Sequence, residues 1–397
     1  MKHFDEFKFS GKKVLIRVDF NVPLNEHFEI NDDSRIKAAI PTLEAVLSAG
    51  GKVILMSHLG RPKGEKSEKY SLSHLLDNLS NHLGKKIDFA DDCIGPTAAQ
   101  KASNLKNGEV LLLENLRFYP EETAGDPTFA KKLADLGEVF VNDAFGTAHR
   151  EHASTAVIAS FFDEGEKCFG KVIEKELEAV DRILKTDARP FTAIMGGAKI
   201  SDKILLIEKM MDQVDHLIIG GGMSYTFFKA LGGEVGDSLV ETDKLGLANT
   251  ILELAKEKEV QLLLPEDSVI SSEYSNHATT KEAENLSIDQ GWMGLDIGSK
   301  AIESFTEVIK KSKTILWNGP MGVFEMEKFE RGTKAIAEAI CQATDRGAYS
   351  LIGGGDSAAA IHQFGLGSRV SYISTGGGAL LEYLEGRTLP GIKAIQG

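Results

Sequence analysis

A chain of 397 residues is too long for one ordinary core, and two domains of common size fit it. Its composition, 42% hydrophobic and 26% charged, is globular, and a formal net charge of −14 argues against broad nucleic-acid binding and docking on anionic membranes. No apolar run spans a bilayer, and the charged opening stretch 1–10 lacks the apolar region of a signal peptide. Cys93, Cys168 and Cys341 lie far apart, with neither metal-ligand spacing nor a disulfide framework. They read as ordinary thiols of a reducing compartment, so a cytoplasmic location is expected.

Short apolar runs alternate with helical patterns along the chain. Lys13–Val18 comes first. Ile36, Ile40, Leu43 and Leu47 then recur at helical spacing, with Asp33 or Ser34 as cap candidates, Pro41 as a bend and Gly50-Gly51 as the stop. Lys52–Met56, Val110–Leu113 and 139–141 follow. In 171–185 the positions Ile173, Leu177, Val180 and Leu184 form an apolar stripe among charges, and the domain junction is placed there. Beyond it come Phe191–Met195, His216–Ile219, 260–264, 314–317, 350–352 and 370–373. Runs this short and nearly continuously apolar predict strands covered on both faces of a parallel sheet. The alternation with helices predicts an α/β architecture.

In such sheets ligands bind beyond the carboxyl ends of the strands. The first-half strands run into R-V-D-F-N-V-P at 17–23, S-H-L-G-R-P at 57–62, E-N-L-R-F at 114–118 and N-D-A-F-G-T-A-H-R at 142–150. The five arginines before Lys171 are Arg17, Arg35, Arg61, Arg117 and Arg150. All sit in these segments or at the start of the helix after Asp33. A guanidinium grips phosphate or carboxylate bidentately, whereas lysine is a point charge. This half therefore reads as built around a small, multiply anionic ligand. Pairing with Asp19, Asp33 or Glu114 is the alternative, open for any one arginine and weaker for all five.

Second-half strands end on glycines: G-G-A-K-I-S-D-K at 196–203, G-G-G-M at 220–223, N-G-P-M-G at 318–322, G-G-G-D-S at 353–357 and T-G-G-G-A at 375–379. Glycine turns opening into helices present backbone N–H groups to phosphates. Five of them suggest a nucleotide site. There is no G-x-x-x-x-G-K-[ST] and no G-x-G-x-x-G after the first strand, which excludes a P-loop and weakens a nicotinamide-dependent dehydrogenase. Lys199 and Lys203 are expected on one face of a helix opening after Gly197. Asp356 is expected to hold Mg²⁺ against phosphate oxygens, a role compatible with capping the next helix.

The segments 17–23, 57–62, 196–203, 317–325, 353–357 and 374–378 resemble the signatures of phosphoglycerate kinase, in that family's order and over essentially the whole chain. R-V-D-F-N-V-P and W-N-G-P-x-G-V-F-E are the long, specific ones. The resemblance implies two Rossmann-like, three-layer αβα domains with mainly parallel sheets, 1–170 for 3-phosphoglycerate and 1,3-bisphosphoglycerate and 186–378 for nucleotide. A hinge helix at 171–185 and a segment 379–397 returning to the first domain complete it. It implies in-line transfer of the acyl phosphate of 1,3-bisphosphoglycerate to MgADP after domain closure, by a monomer acting on small molecules. Carried over, Asp19, Asn21, Arg35, His58, Arg61, Arg117 and Arg150 bind the glycerate ligand. Gly197, Lys203, Asn318, Glu325, Gly353, Gly354, Gly355, Asp356 and Ser357 hold the nucleotide, with Glu325 on the ribose and Asp356 on magnesium. Arg35, Lys199 and the amides around Gly355 and Gly377 stabilise the moving phosphoryl group. Ser357 stands where many members carry threonine, and a hydroxyl remains. A carboxylate acceptor needs no proton removed, so His58 and His149 are assigned binding or structural roles. A two-lobed binding protein without chemistry is the other alternative.

Overall fold

A computed structural model describes residues 3–397, so the first two residues of the 1–10 stretch lie outside the described residues. The chain forms two compact units, one of residues up to Glu178 together with Arg387–Gly397, the other Ala179–Gly386. Among the described residues no helix is long and apolar enough to cross a membrane.

The first unit carries β1 (Lys13–Val18), β2 (Lys52–Met56), β3 (Ile87–Ala90), β4 (Val110–Leu113), β5 (Val139–Asp143) and β6 (Lys167–Phe169). They make one parallel sheet in the order β3-β4-β2-β1-β5-β6. β4 and the centres of β1 and β2 are apolar because helices cover both faces, with Lys13 and Lys52 opening β1 and β2 and Arg17 near the end of β1; Val14, Leu15, Ile16 and Leu111 are fully buried. β3 and β6, which no apolar run announced, are the edge strands. Asp88 of β3 is exposed, and an edge position lets a charge interrupt the run. The helix Ser34–Ser48 accommodates Pro41 and buries Ile36 and Leu43. Asp33 stands at its N-cap, but its carboxylate pairs with Lys37 at 2.8 Å and His82 at 2.9 Å instead of bonding a helix amide. The C-terminal helix Pro390–Gln396 packs in this unit, with Leu389, Ile392 and Ile395 buried and Gly391 N–H donating to Ala148 O at 2.8 Å.

The second unit carries β7 (Phe191–Met195), β8 (His216–Ile219), β9 (Glu234–Val235), β10 (Gln261–Leu263), β11 (Asp267–Ser271), β12 (Thr280–Glu284), β13 (Ser287–Ile288), β14 (Met293–Ile297), β15 (Thr314–Asn318), β16 (Tyr349–Gly353) and β17 (Tyr372–Ile373). A second parallel sheet runs β10-β8-β7-β15-β16-β17 around a core that includes Trp317, Ile194 and Phe305. β10 and β17 are shorter than the runs 260–264 and 370–373, as edge strands often are. The antiparallel sheet β12-β11-β14 and the pair β13-β9 are additions that the sequence reading did not contain. Each unit is thus an α/β domain on a parallel six-stranded sheet. The helix Lys171–Leu184 begins in the first unit and ends in the second, with Ile173, Val180 and Ile183 buried.

Candidate active site

In the first unit the carboxyl edge of the sheet gathers the arginine segments. Arg17 lies beside Met56 and Asn142 in register, which sets it next to the 57–62 loop. Its guanidinium is fully buried: Nε donates to Ser154 Oγ at 2.8 Å, Nη1 to the Val18 carbonyl, and Nη2 lies 3.2 Å from His58 Nδ1. Asp19 receives Arg35 Nη1 at 2.6 Å and lies 3.9 Å from His58 Nδ1. Asn21 Oδ1 accepts Gly60 N–H at 2.8 Å, and Arg117 Nη1 donates to Gly60 O at 2.9 Å. Arg150 Nε donates to His149 Nε2 at 3.2 Å. Arg61 is exposed at the end of the same loop.

Arg35 alone among the five arginines forms an ion pair with a carboxylate within the described residues. The other acids proposed as partners are used elsewhere. Glu114 accepts from Ser71 Oγ and from the amides of Leu72 and Asn115, while Asp33 serves Lys37 and His82. Burial therefore dominates the electrostatics. It lowers the Arg17 pKa against the pull of Glu122 and Asp19, and with Arg17 and Arg150 nearby it brings Arg117 down to about 10. His58 is driven well below the usual imidazole range by burial and then by Arg17, Arg117 and Arg35. His152 falls to about 4 from burial and the same cationic surroundings. Both rings are neutral at pH 7. Arg117 Nε and His152 Nδ1 are buried without a hydrogen-bond partner in the protein.

Two residues of the strand-end segments, Ser57 and Asn115, had no role assigned from the sequence, and three more, Glu122, His152 and Ser154, lay outside those segments. Ser57 Oγ accepts Phe20 N–H at 2.9 Å, and Asn115 bridges to Leu59 O and Tyr70 O at 2.7 and 2.8 Å. Both adjoin strand ends, which was signal enough. Glu122, Ser154 and His152 come from segments remote from any strand end. Glu122, wholly buried, accepts Ser154 N–H at 3.0 Å and Ser154 Oγ–H at 2.6 Å, and so underlies Arg17.

In the second unit all five glycine segments lie at the carboxyl edge of the parallel sheet, after β7, β8, β15, β16 and β17. The β7 and β15 turns touch backbone to backbone, since a Cβ on Gly196 would lie 2.1 Å from Pro320 O. Gly354 has φ +89, and a Cβ there would meet Asn318 Nδ2 at 2.7 Å. Asn318 Nδ2 donates to Gly353 O at 2.9 Å, its Oδ1 accepts Lys203 Nζ, and Gly319 N–H donates to Ser357 Oγ at 2.6 Å. Lys203, Asn318, Gly353 and Ser357 are thus joined. Burial lowers the Lys203 pKa to about 8, opposed by Asp356 and Asp202. A cavity of about 460 Å³ opens beside this edge, lined in part by Gly197, Gly221, Leu239, Pro320, Glu325 and Asp356.

Two expectations are corrected here. Lys199 and Lys203 do not share a helix face, because residues 201–203 form a turn and the helix starts at Ile204. Glu241 accepts the amides of Ile200 and Ser201 at that turn. Asp356 does not cap its helix either; Gly354 occupies the N-cap and Asp356 lies exposed in the first turn. Lys199 is exposed on the turn, and Gly355 and Gly377 open the helices Gly355–Gln363 and Gly378–Leu384. Among the described residues no group of three or more His, Cys, Asp or Glu gathers as a metal cage. A lone exposed carboxylate beside a phosphate-sized cradle fits Mg²⁺, which takes one or two carboxylates and fills its sphere with phosphate oxygens and water.

Fold and sheet edges together define a two-unit α/β enzyme of the phosphotransferase class. The family model for phosphoglycerate kinase matches residues 4–387. The chain is 53% identical over 416 residues to the phosphoglycerate kinase of Porphyromonas gingivalis, with 99% of each covered. The solved structure of phosphoglycerate kinase from Coxiella burnetii superposes with a TM-score of 0.89 at 38% identity, over 100% of this chain and 98% of that one. That from Pyrococcus horikoshii gives 0.86 at 33% identity over the same shares. The chain belongs to the phosphoglycerate kinase family, and it is a phosphotransferase acting on small-molecule substrates.

Proposed function

We propose that the family's reaction is divided between the two units. 1,3-Bisphosphoglycerate binds at the arginine edge and MgADP at the glycine edge, and transfer of the acyl phosphate gives 3-phosphoglycerate and MgATP. The observation that carries this reading is the arginine set, because one of five guanidinia is matched by a carboxylate among the described residues. The remaining positive charge, partly desolvated, suits a ligand with several negative charges.

In this reading Arg61, Arg117 and Arg150 bind phosphate and carboxylate oxygens, and neutral His58 offers a hydrogen bond without charge. Asp19 orients Arg35, whose fork faces the transferring group. Asn21 fixes the 57–62 loop through Gly60. In the second unit Lys199, Lys203 and the amides at Gly197, Gly353, Gly354, Gly355 and Gly377 receive the phosphates. Ser357 and Asn318 hold the turns, Glu325 takes the ribose, and Asp356 holds Mg²⁺ through the nucleotide. The metal supplies charge neutralisation on the phosphate oxygens. A β-phosphate oxygen of ADP bonds the phosphorus as the bond from the bridging acyl oxygen to phosphorus breaks, which leaves the carboxylate of 3-phosphoglycerate, so no general acid is required and positioning dominates. The helix Lys171–Leu184 is proposed as the hinge. Direct transfer requires the two ligands to meet, so scattering should show greatest compaction with both bound. Three buried, unpaired thiols support the proposed cytoplasmic location, and the protein is proposed to act as a monomer.

A coupled assay of ATP formation from 1,3-bisphosphoglycerate, run on the wild type and on Asp356→Asn, tests this. Loss of turnover with 3-phosphoglycerate affinity retained supports the assignment. Equal loss of both would make Asp356 a folding residue.

A further inference from the structure

The turn that carries Lys199 and Lys203 is not self-supporting. Its amides at Ile200 and Ser201 precede the helix that starts at Ile204, where backbone donors have no intrahelical acceptor. One side chain, 40 residues further along the chain from Ser201, takes them. Glu241 Oε2 accepts Ile200 N–H at 2.7 Å and Ser201 N–H at 3.2 Å, and Oε1 accepts Ser201 Oγ–H at 2.5 Å. Lys203 N–H donates to Ile200 O at 3.0 Å and closes the turn, while Ile200 itself is fully buried.

Glu241 is anchored in turn. Its own N–H donates to Thr226 Oγ1 at 3.1 Å, in the helix Ser224–Ala230 that follows the glycines after β8. Met223 N–H from that same segment donates to Gly197 O at 3.0 Å. The two turns are therefore locked to each other at both ends, by backbone near Gly197 and by Glu241 near Ser201.

We infer that Glu241 is a positioning residue for nucleotide phosphate binding, fixing where Lys199 and Lys203 leave the backbone. This rests on the reading of the glycine edge as the phosphate site. Charged acceptors make the stronger side-chain hydrogen bonds, and here one carboxylate makes three. By occupying the Ile200 and Ser201 amides, Glu241 also withdraws them from any ligand. The turn then presents its lysines and the amides before Lys199 in their place.

The test uses the full-length enzyme with MgATP and 3-phosphoglycerate. Glu241→Ala should raise KM for MgATP about tenfold, the scale of losing one charged hydrogen bond. KM for 3-phosphoglycerate should stay within about twofold. Hydrogen exchange at Ile200 and Ser201 should accelerate in the same variant, and Glu241→Asp should recover part of both effects. Glu241→Gln, which removes the charge but can keep its carbonyl oxygen on the two amides and its NH2 toward Ser201 Oγ, is measured beside it in case the alanine protein folds poorly. An unchanged KM for MgATP in the alanine and glutamine variants would overturn the inference. So would equal increases for both substrates, which would mark a general structural role. Lys203→Ala is run in parallel: if it too leaves KM for MgATP unchanged, the phosphate-site reading fails on its own account.

Discussion

The two sheet edges solve one problem by opposite means. In the first unit side chains carry the positive charge: the Arg17 guanidinium is buried against Ser154, which Glu122 holds, and the Arg117 guanidinium donates to the Gly60 carbonyl. In the second unit backbone does most of the work, through turns so close that a Cβ on Gly196, Gly221 or Gly319 would overlap a neighbouring backbone atom. A desolvated cation is costly and needs a buried counter-charge, whereas an amide dipole needs only room. The comparison teaches that the arginine edge should be sensitive to charge and pH, and the glycine edge to volume.

The largest effect is expected at Arg35. Removing the fork that Asp19 holds should cost about 10³-fold in kcat for Arg35→Ala, the lower end for arginine-assisted phosphoryl transfer. Arg35→Lys should keep folding and lose much of kcat, read at saturating substrates. A lysine variant with near-normal turnover would remove Arg35 from the chemistry.

Glu122 should come next. Glu122→Gln weakens the carboxylate support of Ser154 beneath Arg17 and removes a buried negative charge that acts on Arg17 and Arg117 across space, and it should lower stability by about 2–3 kcal/mol. Urea unfolding reads the loss, and a matching loss in Glu241→Gln would erase the contrast between the edges.

The pH dependence has a definite sign. His58 and His152 are neutral when folded, with pKa values below the 6.5 of a free imidazole. Unfolding lets them protonate, so their stabilisation is complete above about 6.5 and is lost as pH falls toward 4. Urea midpoints at pH 7.5, 5.5 and 4.5 should fall accordingly, and His152→Gln should flatten the slope.

Gly354→Ala should be the mildest. Its positive φ and the contact with Asn318 predict a loss of about 1–3 kcal/mol, seen as a raised KM for MgADP with little change for 3-phosphoglycerate. An alanine that leaves both constants alone would mean that this turn does not approach the nucleotide.

Much of this was legible in the sequence where one physical signal dominated. β1, β2, β4, β7 and β8 stand out because burial on both faces keeps their centres apolar, with Arg17 near the end of β1 the one buried cation among them. β3, β6 and the antiparallel strands β11, β12 and β14 did not, since solvent on one side admits Asp88, Lys281 and Glu282. Arginines and glycines placed immediately after strands marked both edges, because chain position alone brings strand ends together in a parallel sheet. Lys199 and Lys203 misled, because spacing of four looks helical while residues 201–203 form a turn, and the carboxylate that takes the amides there comes from Glu241, far along the chain. Glu122 and Ser154 were invisible for the same reason: a buried counter-charge has no periodicity and no fixed spacing from what it neutralises.

The central claim is the division of labour, and titration calorimetry on one substitution in each unit tests it most directly. Arg61→Ala should weaken 3-phosphoglycerate binding and leave MgADP unchanged, while Lys203→Ala should do the reverse. If Arg61→Ala instead weakened MgADP, or Lys203→Ala weakened 3-phosphoglycerate, the assignment of one anion to each sheet edge would be contradicted.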